Sequence, residues 1–308
     1  MSPLKRRKVV PSAAGSTGNT GSEETKSFPL SAPWIERIPA GGLVQCFHKR
    51  RSIKMSNITN HSTLGRSICI ITGASKGFGR ALAHKVSCWL EPGSVLLLVA
   101  RSETLLQELK EELQSFTEEQ QLVVHCVAVD LSKREGVNET IRVARQEAVN
   151  EIEHLLLINN AASLGDISHF GSFTNLEEVN SYLSLNISSA LALTAGILQV
   201  FSCTPLMRRS VVNISSALAL QPLPSWVLYC TAKAARMMMF RVLAKEQPLV
   251  KVLIYSPGPM DTDMQKDILR LTGVKHHLLP AQESADKLVK LLLDDDFVSG
   301  ANLDFFDV

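Results

Sequence analysis

From residue 66 onward, short apolar runs alternate with stretches of helical period, and this alternation constrains the fold more than any other feature of the chain. The runs are Ser67–Thr72, Ser94–Ala100, Val123–Val129, His154–Asn159, Ser210–Ser215, Val250–Tyr255 and Ala301–Phe306. Helical spacing fills the intervals near 78–90, 102–115, 133–148, 175–202, 226–246 and 282–294. Strands that read as unbroken apolar runs are buried on both faces. Regular strand–helix alternation joins such strands into a parallel sheet with helices on either side. The expectation is an α/β, doubly wound parallel sheet of seven strands, in a single domain over residues 65–308.

The first 64 residues read differently. They are rich in Ser, Gly, Pro and Thr, have no sustained period, and carry ten Lys/Arg against three Asp/Glu, a net of +7 in a chain whose total is +2. Such composition predicts a disordered basic N-terminal extension. Lys5-Arg6-Arg7-Lys8 and His48-Lys49-Arg50-Arg51 also fit nuclear-import or nucleic-acid patches, and the acid-poor stretch fits a transit peptide. Short basic clusters arise readily without a role, so no nucleic-acid partner is assigned. Met55 opens a sensible shorter chain. The six cysteines are scattered, with no CxxC pair and no zinc spacing. That predicts neither a disulfide framework nor a metal site, and a reducing, cytoplasmic setting. No apolar run reaches the roughly 20 residues of a membrane span, so no membrane association is expected. Five glycosylation sequons occur, two of them inside segments read as core, and all are read as chance.

The first strand leads directly into Thr72-Gly73-Ala74-Ser75-Lys76-Gly77-Phe78-Gly79. Glycines at such a junction permit a tight turn and close approach of backbone to a ligand. The helix that follows offers unpaired N–H groups and a positive dipole end to a pyrophosphate. This places a Rossmann-type dinucleotide site at the first strand–helix turn. The spacing is GxxxGxG rather than GxGxxG, and in this it resembles the short-chain dehydrogenase/reductase family. The second strand ends in Ala100-Arg101-Ser102, where an acidic residue would favour the free ribose of NAD. Arg101 instead offers a planar fork for a 2′-phosphate, and Lys76 adds a second charge, so NADP(H) is the expected cofactor. A solvated surface charge is the competing reading of each.

The resemblance implies further roles. Asp130-Leu131 matches the family position beside adenine, and Asn159-Asn160-Ala161-Ala162 resembles its NNAG, with Ala162 in place of Gly. Pro257-Gly258 resembles the family's turn after the sixth strand, which assigns Met260, Asp261, Thr262, Asp263, Met264 and Gln265 to the cofactor. Tyr229 and Lys233 form YxxxK, which puts both side chains on one helical face. With Ser216 and Asn186 they resemble the family's catalytic tetrad. The chemistry suits the residue types. Tyr229 is the candidate general acid, Lys233 together with the oxidised nicotinamide charge is expected to draw its hydroxyl down from the usual value near 10, and Ser216 is expected to polarise the carbonyl. Ser215 remains an alternative to Ser216. By analogy Asn186 holds a water in a relay to Lys233.

Within the family the chain most resembles pterin-reducing members. The resemblance rests on Ile71–Arg80, Leu157–Asn160, Ser163–Asp166, Asn213–Ser216, Tyr229-Cys230, Pro257–Gln265 and Ser299–Asp307. It implies NADPH-dependent reduction of pterin side-chain carbonyls and a homodimer built on the helices near 175–202 and 226–246. It also implies that Asp304 anchors the pterin, accepting a pair of hydrogen bonds from its guanidine-like edge. Asp307 is the alternative anchor. Ser216, Ala217, Tyr229 and Gly258 line the rest of the pocket, with Trp226 either a wall of it or part of the core. Only nineteen residues separate Met264 from Ser284, a shorter substrate loop than these relatives have. A broader carbonyl or diketone reductase is the competing activity, and a catalytically inactive NADP-binding scaffold is the competing class.

Overall fold

Every apolar run becomes a strand. In the computed structural model, which describes residues 63–148, 152–202 and 207–308, the strands are β1 (Ser67–Thr72), β2 (Val95–Ala100), β3 (Val123–Ala128), β4 (His154–Asn159), β5 (Arg208–Ile214), β6 (Val250–Ser256) and β7 (Ala301–Asp304). All pair in parallel, in the order β3-β2-β1-β4-β5-β6-β7. Strands β1, β2 and β4 are buried at every residue, which is why they carry no alternation. The chain order reverses between β1 and β4, and an open sheet of this kind leaves a crevice at the carboxyl ends of those two strands.

The helices are α1 (Gly77–Ser87), α2 (Glu103–Glu119), α3 (Arg134–Gln146), α4 (Leu176–Leu183), α5 (Ser189–Val200), α6 (Val227–Glu246), α7 (Asp263–Thr272) and α8 (Ala281–Asp294). They divide between the two faces. Leu82 and Val86 of α1, Leu106 and Leu109 of α2 and Leu288 of α8 pack against Ile71, Leu98 and Ile158 on one face. On the other, Val137 of α3, Leu193 and Ile197 of α5 and Phe240 of α6 pack against Ile70, Leu97 and Leu157. Local signals set the helix starts. Ser102 accepts from Leu105 N at 3.3 Å, and Asn175 accepts from Glu177 N at 3.0 Å, each relieving an orphan amide.

The structure departs from the sequence expectations in four places. The helical stretch near 175–202 is interrupted at Ser184–Ser188 by a wider π-type turn. The stretch after Met264, expected as a short loop, contains α7, which ends at Gly273 in the left-handed conformation (φ 70°). Its period was too short to stand out against the loop around it. The last run stops as a strand at Asp304, and Phe305–Asp307 form a 3₁₀ turn instead, because the Asp304 carboxylate accepts from Phe306 N at 3.1 Å. Leu64, on the tail side of the expected boundary, is fully buried and donates from its N–H to Trp89 O at 2.7 Å. Residues 1–62 of the basic extension, with both Lys/Arg clusters and Met55, lie outside the described residues.

Candidate active site

The glycine turn has the shape the cofactor reading asks for. Gly73 and Gly77 hold positive φ, at 67° and 54°. A Cβ on Gly79 would be driven into the Gly73 carbonyl, so that position admits only glycine without moving backbone. Lys76 precedes α1 in extended conformation and caps no amide, and no acidic residue sits in the first turn. The leading N–H groups of α1 therefore have no side-chain partner and an unopposed positive dipole end, the arrangement that receives a phosphate. Asn160 braces the turn from the side. Its amide donates to Thr72 O at 2.9 Å and Gly73 O at 3.2 Å, while Thr72 Oγ1 accepts from the N–H groups of Asn160 and Ala161.

The neighbouring residues assigned from the sequence are placed as follows. Arg101 is exposed at the end of β2, and its charge reaches Asp130. Burial alone raises the Asp130 carboxyl, but hydrogen bonds from Ser132 and the charges of Arg101 and Lys133 outweigh it and hold the group below its ordinary value. Leu131 is buried beside it. Lys76 forms an ion pair with Asp263 at 3.4 Å, joining the glycine turn to the start of α7. Thr262 lies against Gly77, where an added Cβ would meet its methyl at 3.2 Å, so the Met260–Gln265 segment does arrive over the turn. Asn159 is buried and donates to Thr194 Oγ1 at 3.0 Å, spending its amide on the core. Ala162 takes no left-handed backbone, so alanine there carries no strain.

At the carboxyl end of β5 three members of the candidate tetrad, Ser216, Tyr229 and Lys233, lie together. Tyr229 is buried, with its ring edge-on to Trp226 at 5.7 Å between centroids, so Trp226 walls this residue. Ser216 lies close enough to Tyr229 to act on its hydroxyl and lower it, while its Oγ accepts from Leu218 N at 3.2 Å. Ser215, the alternative, is 3% exposed with an unpartnered hydroxyl. Lys233 is 6% exposed, donates from Nζ to Ile214 O at 2.9 Å, and sits 5.5 Å from the Tyr229 ring centroid. Burial, with the Arg236 charge adding to it, brings Lys233 down to about 7. The expectation that Lys233 draws the Tyr229 hydroxyl down is not met in the chain by itself. Burial pushes that hydroxyl up, against the lowering effect of Ser216 and the charge of Arg236. Tyr229 is thus held protonated at neutral pH, the form in which it can donate, beside an amine able to exchange a proton there.

Asn186 lies inside the π-type turn, a feature frequent at functional sites. Its side chain makes three hydrogen bonds. Oδ1 accepts from Ser163 N at 2.9 Å, and Nδ2 donates to Ser163 Oγ and Tyr182 O, both at 3.0 Å. Asp304 pairs in register with Ser256 at the carboxyl edge of the sheet. Gly258, at φ 76°, stands against Leu279, Phe305 and Phe306. Helix α7 reaches the same place, since Met264 and Ile268 pack on the cluster of Leu164, Trp226 and Tyr229. The base of this excursion is closed by two backbone hydrogen bonds of 2.9 Å, Asp261 N to Leu279 O and Leu279 N to Pro259 O. Arg236, fully buried on α6, is a site residue that sequence reasoning missed. Its one available signal was a charge three residues after Lys233, on the face the helix turns inward.

A phosphate-receiving turn at the switch between β1 and β4, facing a Ser–Tyr–Lys cluster across the crevice, defines an oxidoreductase that works with a nicotinamide dinucleotide. Residues 67–271 match the short chain dehydrogenase family, and the chain belongs to it. It is 46% identical over 259 residues to sepiapterin reductase of Rattus norvegicus, covering 80% of this chain and 98% of that one. It is 30% identical over 247 residues to the (S)-benzoin-forming benzil reductase of Bacillus subtilis, covering 77% of this chain and 92% of that one. The structure of L-sorbose reductase from Gluconobacter frateurii shares the fold, with a TM-score of 0.65 at 24% identity over 79% of this chain and 96% of that one.

Proposed function

We propose that this chain reduces side-chain carbonyls of pterins, sepiapterin and 6-pyruvoyl-tetrahydropterin among them, with NADPH, in tetrahydrobiopterin biosynthesis. The work falls to one NADP-binding domain over residues 65–308. The observation that carries the reading is the grouping of Ser216, protonated Tyr229 and Lys233 at the same sheet edge as the glycine turn, in a chain 46% identical to a sepiapterin reductase over nearly that protein's whole length. Bound NADPH would supply the hydride. Ser216 orients and polarises the carbonyl, Tyr229 donates the proton to its oxygen, and Lys233, poised about 7, returns a proton to the site. Asp304 holds the pterin's amino-pyrimidinone edge from the sheet's carboxyl rim. Exposed Leu191 on α5 and Met238 and Val242 on α6 suit a homodimer built on those helices. The four described cysteines are free, in keeping with a cytoplasmic setting.

The test follows NADPH oxidation with sepiapterin. Wild type is expected to turn over. Asp304→Ala is expected to raise KM for sepiapterin by about 10- to 100-fold, the worth of hydrogen bonds to a charged group, with a smaller effect on kcat. The benzil reductase relative favours a second reading, a general diketone reductase. Benzil turned over while sepiapterin is ignored would establish that reading and remove Asp304 as an anchor.

Arg101 has a separate test. Arg101→Leu is expected to weaken NADPH by about 10- to 100-fold and leave NADH nearly unchanged, because only the 2′-phosphate loses a charge-assisted partner. Equal losses for both cofactors, read by fluorescence titration, would return Arg101 to the status of a surface charge.

A further inference from the structure

Arg236 is 1% exposed, yet no carboxylate pairs with it among the described residues. Its guanidinium is satisfied by three neutral acceptors. Nε donates to Asn213 Oδ1 at 2.8 Å, one terminal nitrogen to Ala161 O at 3.0 Å, and the other to Asn159 O at 2.5 Å. Burying a charge without a counter-charge is costly, and packing alone does not call for it. The acceptors explain the expense. Asn159 and Ala161 flank Asn160, whose amide donates to Thr72 O and Gly73 O in the glycine turn. Thr72 Oγ1 in turn accepts from Asn160 N and Ala161 N. An unbroken set of hydrogen bonds therefore runs from α6, one turn beyond Lys233, across β5 and β4 to the turn before α1.

We propose that Arg236 is a positioning residue for the reduction: its guanidinium fastens the helix carrying Tyr229 and Lys233 to the Asn159–Ala161 loop, and through Asn160 to the glycine turn, so that the proton-donating and cofactor ends of the cleft keep one placement. This rests on the reading of the site as a carbonyl reductase. A lysine does not replace it, because three acceptors in two directions need the planar fork. The same guanidinium acts on Lys233 as an unneutralised positive charge close by. The other titratable groups acting on Arg236 or Tyr229 are Tyr182 of α4, whose hydroxyl burial pushes up, and Cys230 of α6. Arg236 is therefore the cation that, with burial, favours the neutral amine at Lys233.

Three variants test this: Arg236→Met, Arg236→Lys and Asn213→Asp. The last keeps an oxygen acceptor for Nε, removes an amide nitrogen that is buried without a partner, and sets a negative charge beside the guanidinium. Three readouts are taken: thermal melting, NADPH affinity by fluorescence titration without any carbonyl substrate, and the pH profile of kcat with sepiapterin, or with benzil if sepiapterin is not turned over. Arg236→Met is expected to weaken NADPH by about tenfold and lower kcat by about 100-fold, each lost hydrogen bond to the charged group being worth about tenfold or more. Arg236→Lys is expected to recover part of both. In Arg236→Met and Asn213→Asp the limb of the profile governed by Lys233 moves to higher pH, because a cation opposing protonation has been removed or offset, whereas in Arg236→Lys it stays. If Arg236→Met does not fold, the other two variants decide by the same measures. Folded variants that bind NADPH within about twofold of wild type and show an unmoved limb would overturn the proposal. A wild type that binds NADPH and reduces neither carbonyl would defeat the functional reading alone, since the affinity arm still reports on Arg236.

Discussion

Tyr229→Phe is expected to lower turnover by about 10²- to 10⁴-fold, the usual worth of a positioned general acid, while NADPH binding stays close to wild type. The substitution removes one oxygen from a side chain whose ring is already held by Trp226 and the Met264–Ile268 side of α7. The pocket keeps its shape and only the proton donor is lost. The direction of the shift at Tyr229 sharpens the expectation. Burial raises the hydroxyl, so in the free chain the acid is fully loaded at neutral pH and its loss acts on every molecule. Single-turnover kinetics with saturating NADPH separate the chemical step from binding. A Tyr229→Phe protein retaining a tenth or more of wild-type kcat would reassign the proton donor, with Lys233 or a water in its place.

The second large effect is at Gly79. Its Cβ would collide with the Gly73 carbonyl oxygen and stand 2.6 Å from Asn160 Nδ2. Neither neighbour can yield cheaply. The first is backbone, and the second is committed to Thr72 O and Gly73 O. Gly79→Ala must therefore open the turn that cradles the pyrophosphate. We expect NADPH affinity to fall by more than about 100-fold and stability by about 1–3 kcal/mol, the range for overpacking a tight site. Gly171→Ala is the control. Nothing lies within 4 Å of its added Cβ and its φ is not in the left-handed range, so its stability is expected to stay within about 0.5 kcal/mol of wild type. Calorimetry on both, followed by cofactor titration, checks the pair. Tight NADPH binding by Gly79→Ala would show that the phosphate is held elsewhere.

These two expectations concern opposite ends of one crevice, and the residues between them explain why the ends work together. The loop after β4 touches both. Asn160 braces the glycine turn, and the Asn159 and Ala161 carbonyls receive Arg236 from the helix of Tyr229 and Lys233. Helix α7 is tied to the glycine turn through Lys76–Asp263 and packed on the Leu164–Trp226–Tyr229 cluster through Met264. The segment that the resemblance marks as shortened is thus a helix with one foot on each functional end.

What the amino-acid order determined by itself was whatever depends on neighbours along the chain. Continuous apolar runs such as Val95–Ala100 and His154–Asn159 become strands buried on both faces, because their hydrophobicity leaves no solvent side. The glycine turn is likewise local, since its left-handed backbone is accessible at Gly73 and Gly77 and strained for most other residues. The four-residue spacing of Tyr229 and Lys233 shares a helical face in any α-helix. Tertiary structure decided everything that depends on what comes from elsewhere. Ser216 acts on the Tyr229 hydroxyl while Ser215 is packed inside, because of how the chain leaves β5. The Asn186 side chain goes to Ser163 and Tyr182 because a π-type turn interrupts what reads as one helix. The Tyr229 hydroxyl rises instead of falling because desolvation, which no local pattern records, outweighs the charges around it. Arg236 reads in the sequence as one more cation on a helix, and only the folding of β4 and β5 against α6 removes it from water and supplies its three acceptors. Periodicity along a chain reports which face of an element is apolar, whereas burial and partnership are properties of the space between elements, and the chemistry of this site lies there.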